Sequence, residues 1–142
     1  EPFLVASSVS LIVAQRLVRK ICEYCRVSMV ITEDELKKSL PESIMNKHYS
    51  PVGDNREIRV YKGQGCKNCR NTGYAGRIGI FEILEISKEI RKLITERKDA
   101  DVIAQQAIRE GMITMLEDGL QKVSKGITSI EEILRVTKVE SV

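Results

Sequence analysis

The segments Cys22-Glu-Tyr-Cys25 and Cys66-Lys-Asn-Cys69 contain all four cysteines of this 142-residue chain. Each pair can place two thiolates on one side of a tight turn, and two such knuckles facing each other form the tetrahedral sulfur cage that zinc prefers. The glycine-bearing turn 70–76 allows backbone amides to approach the sulfurs. We therefore expect these four cysteines to bind a structural zinc ion. Four sulfur ligands leave no open coordination position, which argues against a catalytic metal.

Other roles for the cysteines are two disulfides, a redox-active dithiol or unrelated buried thiols. The start of the chain, Glu1-Pro-Phe-Leu4, lacks the basic and long apolar segments of a secretory leader, although the absence of an initiator methionine leaves open that a leader was removed. This disfavours disulfides without excluding them. A thioredoxin-type site needs one Cys-x-x-Cys pair, and the second pair would have no function there. His48 is not needed as a ligand because four cysteines already close the cage.

The composition sets limits on the function. Residues 1–76 carry 12 Lys and Arg against 8 Asp and Glu, and residues 77–142 carry 11 against 12. This excess is too small to indicate nucleic-acid binding. No apolar run approaches the roughly 18 residues of a membrane span. Because tryptophan is absent and aromatic residues are few, we expect a core built mainly from Ile, Leu and Val.

The first half of the chain contains helix and strand signals around the knuckles. Helical spacing predicts an amphipathic helix over 8–21 that leads into the first knuckle. Between the knuckles, Thr32-Glu-Asp-Glu35 is a capping box that opens a short helix, and a further helical turn is expected over 43–47. Segments 57–61 and 77–86 are strand-like, and we expect them to form an antiparallel hairpin with the second knuckle near its tip. The apolar positions of the amphipathic helix are Leu11, Ala14, Leu17, Val18 and Ile21.

From Ser87 onward the pattern changes to four short capped helices. Their N-terminal signals are Ser87, Asp99 or Asp101, Thr114 with Glu117, and Ser129 with Glu132, and Gly111 and Gly126 end the second and third. These signals predict a C-terminal helical bundle. The expected fold class is α+β, with a helix over 1–21, a zinc-binding subdomain over 22–76, and a strand plus helical subdomain over 77–142.

Three parts of the chain together resemble a known family. They are the run 13–25 from Val13 through the first knuckle, the run Gly65-Cys-Lys-Asn-Cys-Arg-Asn-Thr-Gly73, and Arg77-Ile-Gly-Ile-Phe-Glu82. These runs, followed by the segments 113–123 and 126–137, are similar in order and character to the C-terminal part of the type II secretion and type IV pilus assembly ATPases. The resemblance covers nearly the whole chain. Retraction motors of the same superfamily typically lack the four-cysteine insert.

The resemblance implies a hexameric motor that binds ATP and Mg and hydrolyses ATP at the cytoplasmic face of the inner membrane. Its implied partners are a membrane platform protein and the other subunits of the hexamer, and its product is an assembled pilus or pseudopilus. A Walker A loop, Gly-x-x-x-x-Gly-Lys followed by Ser or Thr, is absent from this sequence. We therefore interpret the chain as a C-terminal fragment that does not hydrolyse ATP alone, with no nucleic acid as partner and no membrane span.

Three arginines have alternative roles. Arg16, Arg19 and Arg77 can meet a neighbouring subunit or the nucleotide site of an intact hexamer, or form local ion pairs. We expect Glu131 and Glu132 to lie in the first turn of the last helix, where carboxylates interact favourably with the helix dipole. The alternative function is a stand-alone zinc-ribbon module that binds protein or nucleic acid. Two-part architecture also predicts that loss of one sulfur unfolds 22–73 and leaves the helices after Ser87 intact.

Overall fold

The computed structural model describes residues 1–48 and 57–137, and within these ranges the chain forms seven helices and four strands. In chain order the elements are α1 (Pro2–Ser8), β1 (Leu11–Ile21), β2 (Arg26–Thr32), α2 (Glu33–Lys37), α3 (Glu42–His48), β3 (Glu57–Gly63), β4 (Tyr74–Glu85), α4 (Lys88–Thr95), α5 (Ala100–Arg109), α6 (Met115–Ser124) and α7 (Ile130–Thr137). The α+β fold class predicted from the sequence is confirmed.

The four strands form two separate antiparallel pairs, and along the sequence one pair is nested between the strands of the other. The outer strands β1 and β4 pair from Leu11 opposite Glu85 to Ile21 opposite Tyr74. The inner strands β2 and β3 pair from residue 26 opposite residue 63 to residue 32 opposite residue 57. The chain therefore passes from the outer to the inner sheet through the first knuckle, and returns from the inner to the outer sheet through the second.

The helix predicted over 8–21 is wrong, because 11–21 is the strand β1. Its apolar residues fit helical spacing, yet only Val18 and Ile21 of that set are buried, at 0% and 2% exposure. The partner that makes this segment a strand is β4, more than 50 residues further along the chain. Local periodicity contains no information about such a distant partner, and tertiary pairing overrides the local preference. A short helix is present nearby, but it is α1, which ends at Ser8.

The predicted hairpin is also wrong in its pairing. Both of its segments are strands, but β3 pairs with β2 and β4 pairs with β1. Residues 26–32, for which no element is predicted above, form the missing partner β2. Its residues Val27, Val30 and Ile31 are β-branched, and this enrichment is the local sequence signal that indicates a strand here.

The predicted helix caps are confirmed at four positions. Thr32 and Glu35 form the capping box of α2. The side chains of Ser87 and Thr114 accept the backbone N–H three residues ahead, both at 3.2 Å, and open α4 and α6. Ser129 does the same for α7 at 3.3 Å. Because these signals are local, they could be recognised without knowledge of the tertiary fold.

The C-terminal helices pack on two different apolar clusters rather than in one bundle. The larger cluster, which we call the central core, joins α6 and α7 to the outer sheet and to the segment between the knuckles. Its buried members are Val18, Leu36, Leu40, Met45, Val60, Ile80, Leu120, Val123, Ile130 and Ile133. The smaller cluster contains Ile86, Ile90 and Ala107, so α4 and α5 pack on each other, with α4 against α1.

A buried carboxylate, Glu132, connects α7 to β1. Its side chain is 2% exposed and receives the backbone N–H of Arg19 at 2.8 Å. The guanidinium groups of Arg19 and Arg135 donate four further hydrogen bonds, at 2.7 to 3.0 Å. Glu132 is thus an ion-pair centre as well as a first-turn carboxylate. The Arg19 guanidinium is therefore paired within this chain. The Arg16 guanidinium donates a hydrogen bond to the carbonyl of Val136.

These contacts change the proton affinity of Glu132. Burial raises the pKa of the carboxyl, but the hydrogen bonds from Arg135 and Arg19 outweigh burial and lower it to about 2, from an ordinary 4.5. Because the folded-state pKa is depressed, the stabilisation is fully present above about pH 4.5 and is lost as the pH falls toward 2.

We expect Glu132→Gln to lower the free energy of unfolding by about 2 kcal/mol near pH 7, since hydrogen bonds to a charged group are lost. The difference from the unchanged chain should shrink between pH 4.5 and 2. Urea denaturation at a series of pH values measures both effects. Glu131→Gln, at the exposed neighbouring position, is the matched control. Equal destabilisation by the two substitutions would contradict the assigned role of Glu132.

Candidate metal centre

The strand registers bring the two knuckles together. The outer ladder ends at Ile21 and Tyr74, and the inner ladder begins at Arg26 and Gly63. The backbone continues this alignment between them, since the Cys22 N–H donates to the carbonyl of Gly73 at 2.9 Å. Both Cys-x-x-Cys turns therefore lie in the junction between the two sheets, facing each other.

All four predicted ligand residues meet at this junction. The Sγ atoms of Cys22, Cys25, Cys66 and Cys69 lie within 4.8 Å of one another. The Sγ separations are 3.8 Å for Cys22 and Cys66, 3.8 Å for Cys25 and Cys69, and 3.7 Å for Cys66 and Cys69. A tetrahedral zinc with Zn–S bonds of about 2.3 Å has sulfurs about 3.8 Å apart. A disulfide needs sulfurs about 2.05 Å apart, so these distances fit a metal cage and not a pair of disulfides.

Backbone amides point at two of the sulfurs. The N–H groups of Cys66 and Gly73 both donate to the Cys69 Sγ at 3.2 Å, and the Gly65 N–H donates to the Cys25 Sγ at 3.3 Å. Burial raises the pKa of the Cys69 thiol, but the two amides, together with hydrogen bonds from the Cys66 and Cys25 side chains, outweigh burial and lower it to about 6. At Cys25 burial dominates and raises the pKa to about 11. Amide donors stabilise thiolate, which is the form that binds a metal.

Glycine is required where the two strand ends cross. A Cβ on Gly63 would lie 2.1 Å from the carbonyl oxygen of Gly73, and a Cβ on Gly73 would lie 2.6 Å from the carbonyl oxygen of Gly63. Gly73 also has a φ of +80°, a backbone conformation that residues with a side chain rarely adopt. The sequence predicts turns at the glycines near the knuckles, but this close backbone approach depends on the tertiary fold and has no local signal. It also missed Thr72, whose hydroxyl donates to the Cys69 carbonyl at 2.6 Å.

The donor set is soft and enclosed. Cys22 and Cys69 are buried, and Cys25 and Cys66 are half-buried. Four thiolates in tetrahedral arrangement favour zinc, with iron as the competing metal. The side chain of His48, considered above as an unneeded ligand, lies outside the described residues. Arg77 is exposed and lies opposite Arg19 in the outer ladder.

Among residues 1–48 and 57–137, no helix is both long and apolar enough to cross a bilayer.

Several known proteins, including the following three, are similar to nearly the full chain. The type IV pilus assembly ATPase PilB of Thermus thermophilus is 40% identical over 137 residues, which cover 96% of this chain and 14% of that protein. PilB of Pseudomonas aeruginosa is 39% identical, over 96% of this chain and 22% of its own length. The type II secretion system protein E of Aeromonas hydrophila is 38% identical, over 97% of this chain and 25% of its own length.

The chain therefore spans between 14% and 25% of the length of these relatives. The resemblance inferred from the knuckles, the strand and the capped helices is confirmed by these similarities. Residues 1–135 match the family described as type II/IV secretion system protein. The chain belongs to this family.

Proposed function

We propose that Cys22, Cys25, Cys66 and Cys69 bind one structural zinc ion. The observation that carries this proposal is that all four Sγ atoms lie within 4.8 Å of one another, with three of their six separations at 3.7 to 3.8 Å, the edge length of a zinc–sulfur tetrahedron. When bound, the metal cross-links the junction of the two sheets. The amides of Gly65, Cys66 and Gly73 hold the sulfurs in place. The close approach of Gly63 to Gly73 brings together the two ends of the segment that carries the second knuckle.

We further propose that this chain is the C-terminal part of a hexameric ATPase that powers type IV pilus assembly or type II protein secretion. The names of its relatives and the small share of their length that it covers support this role. ATP and Mg bind upstream, in the part that carries a Walker A loop, because this sequence has none. In this proposal, segment 22–76 is the zinc-binding subdomain, and its metal cross-link couples movement of the motor to the platform protein at the cytoplasmic face of the inner membrane.

Metal content tests the zinc site. Protein purified without added metal should contain one zinc per chain by elemental analysis. After chelation under denaturing conditions, four free thiols should be counted. One equivalent of zinc supports the proposal. One equivalent of iron would support a metal site at the four cysteines but contradict zinc as its metal. Two disulfides and no metal would refute the site.

Removal of one sulfur should abolish metal binding. Zinc binding contributes on the order of 10 to 16 kcal/mol, which is comparable to the stability of a whole domain. We expect Cys66→Ser to lose the metal and to unfold the segment between the knuckles at 25 °C, as measured by metal content and circular dichroism. His48→Gln serves as control and should retain one metal per chain. Loss of metal in His48→Gln would show that the ligand set is incomplete as assigned.

ATP turnover tests the fragment assignment. The chain alone should release no phosphate from Mg-ATP above the buffer rate, because it has no phosphate-binding loop. A longer polypeptide that includes the upstream part should hydrolyse ATP and form hexamers, as measured by phosphate release and light scattering. Turnover by this chain alone would contradict the proposal.

A further inference from the structure

The loop between α6 and α7, residues 125–129, is attached to the residues that flank the cysteines. The N–H of Ile21, the residue before Cys22, donates to the carbonyl of Ile127 at 2.9 Å. The guanidinium of Arg26, the residue after Cys25, donates to the carbonyl of Gly126 at 3.0 Å. Both ends of the first knuckle are therefore bonded to this loop, which we call the α6–α7 loop.

The second knuckle contacts the same loop through its following turn. The Tyr74 hydroxyl lies 2.6 Å from the Ser129 hydroxyl. Tyr74 comes directly after Gly73, whose N–H bonds the Cys69 sulfur. The Arg19 guanidinium, bonded to Glu132 of α7, lies 4.2 Å from the centre of the Tyr74 ring. Hence the start of α7 also depends on the position of the second knuckle.

The segment between the two knuckles, which we call the insert, also packs against α6 and α7. Leu36, Met45 and Val60 of the insert share the central core with α6 and α7. A salt bridge of 2.9 Å joins Lys47 of α3 to Glu117 of α6.

The helices α4 and α5 belong to the other cluster, formed with Ile86, Ile90 and Ala107. Within residues 1–48 and 57–137, their main helix contacts are with each other and with α1, and they take no part in the buried central core. The helices α4 and α5 can therefore serve as an internal control for α6 and α7. The four helices are of similar length, but only α6 and α7 are attached to the knuckles.

We propose that metal occupancy at the four cysteines controls the order of the α6–α7 loop and of α6 and α7, but not of α4 and α5. This inference rests on the metal site proposed above and adds a regulation to it. It also divides the chain differently from the sequence expectation, which left all helices after Ser87 intact when the metal is lost. Because coupling free energies are reciprocal, loosening the α6–α7 loop must weaken metal binding.

Gly126 offers the test of reciprocity. It has a φ of +74°, and a Cβ placed on it would lie 3.1 Å from the Cγ of the Tyr61 ring, which stands beside Arg26. Gly126→Ala should therefore displace the α6–α7 loop from the first knuckle. The matched control is Gly111→Ala, which closes α5 at a φ of +98° with open space around its Cβ. Both substitutions strain the backbone at a helix end, but only the first does so beside the cysteines.

The experiment has two measurements on the full chain. The first is zinc affinity by competition with a chromophoric chelator, for which we expect Gly126→Ala to bind about fivefold more weakly and Gly111→Ala to bind as the unchanged chain does. The second is hydrogen exchange with and without zinc in the unchanged chain. Metal removal should abolish protection over 116–134 and preserve it over 88–109.

The outcomes separate the inference from the metal site itself. If one zinc binds but its removal leaves 116–134 protected, the coupling is refuted and the site stands. Loss of protection over 88–109 to the same extent also refutes the coupling, because the response would then be global unfolding. Equal zinc affinity of the two glycine variants refutes reciprocity. If no metal binds, both the site and the coupling are refuted.

Discussion

The nested pairing of four strands is the constraint on which the rest of the structure depends. Because β1 pairs with β4 and β2 pairs with β3, each knuckle must turn between the same two sheets. The ladder ends at Ile21 and Tyr74 on one side and at Arg26 and Gly63 on the other leave residues 22–25 and 64–73 in the gap, and each of these segments contains one Cys-x-x-Cys turn. A shift of either ladder by one residue would reverse the facing of every side chain in it and separate the sulfurs.

The parts that could be predicted from the sequence are those with local causes. Thr32, Ser87 and Thr114 open helices through hydrogen bonds to residues three positions ahead, so a short window contains the whole signal. The cysteines could be predicted as a group because their spacing is a property of the ligand set. The strand character of β1 and the pairing of β2 with β3 depend on partners 25 to 74 residues away. No local pattern distinguishes these partners, so the amphipathic helix and the hairpin were predicted wrongly.

Glu132 illustrates the same limit at the level of one residue. In sequence it is a carboxylate in the first turn of a helix, where an exposed acidic residue is ordinary. In the structure it is almost fully buried, because Arg19 approaches from β1, more than 100 residues earlier. Its burial is tolerated only because Arg19 and Arg135 together satisfy both carboxylate oxygens. The chemistry of the side chain could be read from the sequence, whereas its burial follows from long-range packing.

In the proposed role, a closed cage of four sulfurs performs no chemistry on a substrate, and its contribution is mechanical. A cross-link stiffens only those elements that are held to it. Here Ile21, Arg26 and Tyr74 hold the α6–α7 loop to the knuckles by hydrogen bonds, each of which contributes only about 1 kcal/mol. The metal–sulfur bonds are far stronger than these contacts. In the proposed role, the compliance of the subdomain is therefore set by this loop rather than by the metal cage, and force that reaches the cysteines passes to α6 and α7 only while the loop remains in contact.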